Sequence, residues 1–248
     1  MKKPFSFKAE DYSKYRPQYP KRLFEYLSMI VGENYRAWDC ATGNGQAAIG
    51  LTPYFKEIIA TDISKEQIAN CIPHRKIKYY KAPAENSGIA SGSVDLITAA
   101  TAIHWFDKEK FFKEAKRVLK PGGILAVWNY TSFTSVSPEI DAVIGRLNEK
   151  ILGPKYWPEQ AYKIFQKGYT FKFPFKELYA PDIIMTQNWS MTNVVKYLHT
   201  WSGVQVYIKK NKKDPVEIIY DSLKAAWGNP IRNKKIEWKL LFRINRVE

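Results

Sequence analysis

The first half of the chain alternates short apolar runs with amphipathic stretches. Ala37–Cys40, Glu57–Thr61, Ile77–Lys81, Val94–Ala99 and Ile124–Trp128 each read as strands, and Val94–Ala99 is apolar enough to be buried on both faces. Helical patterns lie between them. Lys21–Val31 places Leu23, Phe24, Leu27 and Ile30 on one face and ends at Gly32. Gln46–Leu51 predicts a short helix closed by Pro53. A second helix starts at Ser64, with Gln67 completing a capping box, and Pro73 stops it beyond Asn70 or Cys71. Asn86–Ser93 is a polar loop. Asp107–Leu119 gathers Phe111, Phe112, Ala115, Val118 and Leu119 on one helix face, and Lys120-Pro-Gly-Gly123 reads as a turn. Strands alternating with helices predict right-handed βαβ units and a parallel sheet, an α/β fold.

The pattern changes after Asn129. Residues 137–168 are helical in character, with breaks at Gly153-Pro154 and Pro158. Aromatic residues then become dense: Tyr169, Phe171, Phe173, Phe175 and Tyr179, followed by Trp189, Tyr197, Trp201 and Tyr207. Ile183–Trp189 reads as a strand and Thr192–Leu198 as a helix. Asp214–Ala226 reads as another helix, with Asp214 as cap and Pro215 in its first position. Lys235–Val247 alternates Ile236, Trp238, Leu240, Phe242 and Ile244, which predicts a last strand returning to the sheet. Ahead of all this, residues 5–20 carry Tyr12, Tyr15, Arg16, Pro17, Tyr19 and Pro20. Two prolines three apart exclude a helix and predict an extended arm, which either lies over a cleft or packs on the surface. The expected organisation is one domain: arm and helix over 1–35, a core over 36–130, a helical and aromatic cap with one core strand over 131–234, and a final sheet strand over 235–248.

Composition adds few constraints. A chain of 248 residues at 45% hydrophobic content can bury a full core. Met-Lys-Lys-Pro-Phe-Ser-Phe-Lys has charges without an apolar core, so no signal peptide is expected, and no apolar run approaches the ~20 residues needed to span a bilayer. Cys40 and Cys71 make neither a disulfide framework nor a zinc site; no metal is expected, and a reducing, cytoplasmic setting is. The net charge of +15 asks for an anionic partner. Lysine outnumbers arginine 30 to 9, however, and arginine is the usual residue for bidentate phosphate recognition. The densest run, Lys209-Lys-Asn-Lys-Lys213, reads as a solvated loop. A diffuse field of this kind draws in anionic small substrates, and neither nucleic acid nor membrane is expected as a partner.

The candidate chemistry sits at strand ends. The first strand ends on Asp39 and breaks into a glycine turn; the second ends on Asp62. Gly43-Asn-Gly45-Gln-Ala-Ala48 fits the dinucleotide pattern G-x-G-x-x-A, with Asp62 at a distance suited to ribose hydroxyls. That leaves a nicotinamide-dependent oxidoreductase open. Two details point elsewhere. Asp39 is a poor neighbour for a pyrophosphate and suits a cationic group such as an amino acid's ammonium. Ala82-Pro-Ala-Glu85 then provides a polar backbone edge after the third strand, where an adenine can be read.

These motifs together resemble the class I S-adenosylmethionine-dependent methyltransferases over about residues 5–130. Asp39-x-Ala41-x-Gly43-x-Gly45 is similar to the first motif of that family, with alanine where glycine is usual at position 41; only close backbone approach is expected to matter there. By the same resemblance Asp62 holds the ribose, Ile63 packs on adenine, Ala84 and Glu85 form the adenine edge, and Ala100 lies beside the cofactor. Leu119-Lys-Pro-Gly-Gly-Ile-Leu resembles the turn into the fifth strand. The opening Tyr-x-x-x-Arg-Pro-x-Tyr-Pro and Tyr197-Leu-His-Thr-Trp-Ser202 resemble the trans-aconitate methyltransferase-like subgroup. The family implies a Rossmann-like, mostly parallel seven-stranded sheet flanked by helices, with an antiparallel C-terminal strand. It also implies S-adenosylmethionine as cofactor, and Tyr12 and Arg16 closing over its methionine carboxylate.

Methyl transfer needs a nucleophile aligned with the methyl carbon and water excluded. A carboxylate acceptor needs no base, whereas a hydroxyl or amine must lose a proton. His104, in Ala102-Ile-His-Trp-Phe106, is the candidate base; the alternative is that it orients the cofactor or packs on Trp105. His104, Trp105, Trp189, Trp201 and Tyr207 are the candidate substrate contacts, with core packing the more ordinary role for any one of the rings. The leading expectation is in-line displacement onto a small-molecule acceptor, carboxylate-bearing ones included. The alternatives are an RNA or protein methyltransferase, a nicotinamide-dependent oxidoreductase, and a non-catalytic protein that keeps the cofactor pocket.

Overall fold

The computed structural model describes residues 15–130 and 137–248. They form two compact units. One comprises residues 19–130, 169–183 and 240–248; the other comprises the described parts of 1–18 and 131–168, with 184–239.

The first unit is the parallel sheet. Its strands are β1 (Arg36–Cys40), β2 (Glu57–Asp62), β3 (Ile77–Lys81), β4 (Val94–Ala100) and β5 (Leu119–Tyr130), interleaved with α1 (Lys21–Ile30), α2 (Gln46–Leu51), α3 (Lys65–Ala69) and α4 (Lys108–Val118). In space the order is β3-β2-β1-β4-β5, continued by β8 (Lys234–Arg246) and β6 (Lys176–Leu178). β1 to β5 run parallel, and β8 is antiparallel to both β5 and β6. This is the mostly parallel Rossmann-like arrangement with an antiparallel C-terminal strand. Central strands must be apolar on both faces, and they are: Trp38, Leu96, Ile97, Leu125, Val127 and Trp128 are all fully buried. The carboxyl ends of the five parallel strands define one edge, carrying Cys40, Asp62, Lys81, Ala100 and Tyr130.

Three local details differ from expectation. The Lys120–Gly123 segment is not a turn ahead of a strand but an irregularity inside β5: partners on β4 jump from Val94↔Leu119 to Leu96↔Ile124. Gly122 N donates to Val247 O, and Val247 N donates to Gly123 O, so the end of the chain supplies the pairing. The capping box at Ser64 is only half made. Gln67 N donates to Ser64 Oγ at 3.3 Å, but Ser64 N is already held by Asp62 Oδ1 at 2.8 Å, so the side-chain Oε1 of Gln67 has no donor to accept from. The short strand β6 carries two charges in three residues, Lys176 and Glu177, and has no apolar alternation to announce it.

The second unit contains α5 (Pro138–Gly145) continuing as a π-helical segment Arg146–Leu152, α6 (Gly153–Tyr156), α7 (Glu159–Lys167), β7 (Ile184–Trp189), α8 (Met191–His199), α9 (Ser202–Asn211) and α10 (Glu217–Trp227). β7 pairs antiparallel with Lys234–Lys239 of β8. α8 opens with a complete capping box between Ser190 and Asn193. α9 takes in Lys209–Asn211, the start of the run expected as a solvated loop, and stops where Lys212 turns left-handed at φ 55°. α10 starts later than expected, because Asp214 accepts Val216 N at 2.9 Å and so closes a turn ahead of the helix. The core of this unit is a run of rings. Tyr197 packs on Trp189, Trp201 and Trp238 at 5.6–5.8 Å, Trp201 packs on Trp157 at 5.5 Å, and Trp238 Nε1 donates to the Tyr197 hydroxyl at 3.2 Å.

Among the described residues no helix is long and apolar enough to cross a membrane. Nor, among them, do three or more His, Cys, Asp or Glu residues group as a metal site.

Candidate active site

The glycine turn after β1 is held from beneath by Asp39. This carboxylate is fully buried. Its Oδ2 accepts Thr42 Oγ1 at 2.5 Å and Ala48 N at 3.1 Å, and its Oδ1 accepts Thr98 Oγ1 of β4 at 2.7 Å. Burial pushes its carboxyl up to about 6, against the pull of those hydrogen bonds. Asp39 was expected to face a ligand's ammonium; in the structure it ties β1, the turn, α2 and β4 together from inside.

Asp62 sits at the end of β2 and is partly exposed. Its Oδ2 accepts Gly43 N at 3.0 Å and its Oδ1 accepts Ser64 N at 2.8 Å. Each carboxylate oxygen has two lone pairs, so one on each oxygen is left for further donors, as a pair of vicinal hydroxyls requires. The turn itself is left-handed three times, at Ala41 (φ 54°), Gly43 (φ 57°) and Gly45 (φ 84°). A Cβ on Gly45 would strike the Tyr79 hydroxyl at 2.8 Å, whereas one on Gly43 would meet nothing within 4 Å. The turn is therefore packed on one side and open to a ligand on the other. At position 41 the expectation needs correcting: the conformation, as well as close approach, favours glycine there, so alanine carries backbone strain of ~1 kcal/mol.

Beyond Asp62, Ile63 is 49% exposed, an apolar side chain left at the sheet edge where a flat base could cover it. Ala84 is buried; Glu85 accepts Asp107 N at 2.9 Å, which links the loop after β3 to the start of α4. These groups fit a nucleoside: two free lone pairs for the ribose, an exposed aliphatic face for the base and an open glycine for close approach.

At the end of β4, Ala100 pairs with Trp128, and Thr101 follows in a left-handed conformation at φ 54°. Thr101 N donates to Trp128 O at 2.7 Å. Its Oγ1 lies 3.2 Å from the Tyr19 hydroxyl, whose ring stands edge-on to Trp128 at 5.4 Å. A 3-10 turn, Ile103–Trp105, then carries His104. His104 is 8% exposed and its Nδ1 has no hydrogen-bond partner. Burial, with a smaller contribution from Lys108, lowers its pKa to about 4, so the imidazole is neutral at pH 7. Trp105, 47% exposed, packs against it at 4.9 Å.

Tyr12 is outside the described residues. In the second unit, Arg16 Nη2 donates to Thr200 O at the end of α8, at 2.9 Å, with its guanidinium 5.6 Å from the Tyr197 ring centre. Trp201 is 3% exposed within the ring core, Trp189 packs on Trp238 at 5.2 Å, and Tyr207 packs on Tyr156 at 4.8 Å. Three residues at the sheet edge were missed: Thr98, Tyr19 and Asn129. Thr98 and Asn129 are polar positions in the largely apolar central strands β4 and β5, and that was the available signal.

The description "Methyltransferase domain" matches residues 38–127. A protein of Dictyostelium discoideum assigned as a methyltransferase is 32% identical over 234 residues, covering 92% of this chain and 88% of that one. A protein of Saccharomyces cerevisiae assigned as an S-adenosylmethionine-dependent methyltransferase is 32% identical over 134 residues, which is 50% of this chain and 46% of that one. A solved structure from Anaeromyxobacter dehalogenans, assigned as a type II methyltransferase, superposes with a TM-score of 0.86 at 37% identity, covering 93% of this chain and 97% of that one.

Proposed function

This chain belongs to the class I S-adenosylmethionine-dependent methyltransferases, and from that premise we propose that it methylates a small-molecule acceptor held at the β4–β5 end of the sheet edge. The observation that carries the small-molecule reading is burial: His104 is 8% exposed and Asn129 is not exposed at all, so these polar groups suit a ligand that enters the fold rather than a polymer lying on it. Carboxylate-bearing acceptors are the first class to screen, given the net charge of +15.

When bound, S-adenosylmethionine supplies an electrophilic methyl group on a sulfonium leaving group. The free lone pairs of Asp62 accept the ribose hydroxyls, Ile63 covers the adenine, and the Ala84–Glu85 backbone reads its edge. The open side of Gly43 lets the backbone come close, and Asp39 acts through the turn it holds. A neutral imidazole with a pKa about 4 is a weak base, so His104 orients a hydroxyl or amine acceptor by hydrogen bonding more than it removes its proton. A carboxylate acceptor needs no proton removed.

Calorimetry on Asp62→Ala tests the cofactor register. Loss of two hydrogen bonds to a charged group is expected to weaken S-adenosylmethionine binding by about 100-fold or more, and unchanged affinity would overturn it. Incubation with methyl-labelled cofactor and a pool of small carboxylates, amines and alcohols tests the acceptor class. Label found only in added RNA or protein would refute the small-molecule reading.

A further inference from the structure

At the sheet edge the fold leaves one side-chain amide, among the described residues, without a partner at either end. Asn129 is the penultimate residue of β5, is fully buried, and has a partner for neither its Nδ2 nor its Oδ1. Buried amides are normally paired, and an apolar residue would fill the same space without loss, as Val127 does two positions earlier on the same face. Asn245 makes a useful contrast. It lies on β8 opposite Leu125, toward the amino end of β5, and of its two polar side-chain atoms only Nδ2 is buried without a partner.

Position gives Asn129 a meaning. β4 ends opposite Trp128, so Asn129 lies just beyond the last β4 pair, at the carboxyl edge where open α/β sheets bind ligands. The strand order puts β1 and β2, with Asp39 and Asp62, on one side of β4 and β5 on the other. The segment leading to His104 leaves the sheet through the Thr101 N to Trp128 O bond, beside Asn129. Trp128 and the Tyr19 ring against it occupy the opposite face of β5, and neither completes the amide.

Resting on the methyltransferase reading above, we infer that Asn129 is a specificity-determining residue for the acceptor, and that it takes an uncharged group that both donates and accepts a hydrogen bond, a hydroxyl or a carboxamide. A carboxamide side chain offers two N–H donors and one carbonyl acceptor. A carboxylate could take the donors but would leave Oδ1 facing a negative oxygen. An ammonium could take Oδ1 but would set its charge against the N–H groups. Only a neutral group with both capacities completes the pair. A carboxylate on the acceptor is therefore held away from Asn129.

The test uses the full chain, labelled with nitrogen-15 and saturated with S-adenosylhomocysteine. The side-chain NH2 signals of Asn129 are identified by their absence in Asn129→Leu, or in Asn129→Asp if the first variant does not fold. Propionamide and sodium acetate are titrated separately as probes. The expected result is a saturable shift of the Asn129 signals with propionamide and none with acetate, while the Asn129 variant binds S-adenosylhomocysteine within twofold of the parent. An acetate shift equal to the propionamide shift would overturn the inference. So would signals that neither probe moves, as when a resident water completes the amide, or a loss of S-adenosylhomocysteine affinity beyond tenfold in the variant, which would assign Asn129 to the cofactor. Failure of the parent chain to bind S-adenosylhomocysteine would instead refute the reading on which the inference rests.

Discussion

Asp39 and Asn129 occupy equivalent places on two strands of one sheet. Each is the penultimate residue of its strand, each is fully buried, and each is polar in an apolar setting. The fold treats them oppositely. Asp39 receives three donors from three different elements, and the turn it organises is set before any ligand arrives. Asn129 receives none. His104, next along the same edge, is likewise buried with an unpaired nitrogen. The β1–β2 end is thus preorganised by its own side chains, while the β4–β5 end keeps hydrogen-bonding capacity in reserve. The difference separates a part of the site whose ligand is fixed by the fold from a part whose ligand is fixed by a few replaceable side chains.

The sharpest way to break this contrast is to remove the two residues in turn. Asp39→Ala strands the Thr42 hydroxyl, the Ala48 N–H and the Thr98 hydroxyl, and about 3–4 kcal/mol of stability should be lost in urea unfolding. Asn129→Leu should stay within ~1 kcal/mol of the parent or exceed it, since nothing in the fold loses a partner. A larger loss for Asn129→Leu than for Asp39→Ala would abolish the distinction.

Acidification sharpens it next. The His104 pKa falls from 6.5 to about 4 on folding, so its contribution to stability is full above pH 6.5 and is lost as the pH falls toward 4. The Asp39 carboxyl moves the other way, from 3.8 to about 6, so its burial destabilises the ionised fold above pH 6 and this penalty fades toward pH 4. The two trends oppose each other in one window. His104→Leu removes one of them, and between pH 7 and pH 4.5 its stability relative to the parent should rise by roughly 2 kcal/mol in paired urea titrations. A flat difference would mean that His104 is not buried neutral.

The smallest effect concerns the turn. Ala41→Gly relieves a left-handed alanine, and thermal unfolding should show a gain of ~1 kcal/mol. A loss would mean that the methyl group packs better than its backbone suffers.

Much of this was legible in residue pattern. β3 and α2 were bounded correctly, with a proline shortly after each, and the carboxylates at or next to the ends of β2 and β1, Asp62 and Asp39, stood out against their apolar runs. Asp62 and the glycine turn followed from spacing. What failed was of another kind. α9 begins at Ser202-Gly203 and ends in lysines, so its helical period is weak and only packing declares it. The hydrogen bond of Arg16 to Thr200 O and the burial of Trp201 among other rings could not be read from residue type either. The inward-facing Asp39 and the bare Asn129 depend on which donors the fold brings near, a property no residue type carries.

One thiol makes the glycine turn observable. Cys71 is nearly buried, and its one S–H proton has Gly43 O and Gln67 O both in reach, each 3.3 Å from Sγ. Burial pushes its thiol up to about 12, so near neutral pH almost no thiolate exists for an alkylating agent to meet while the turn is closed. With Cys40 sealed inside β1, any slow modification of the native chain reports the local opening of this one loop. The protein thus carries its own clock for how often the nucleoside cradle comes apart, and a bound cofactor should slow it.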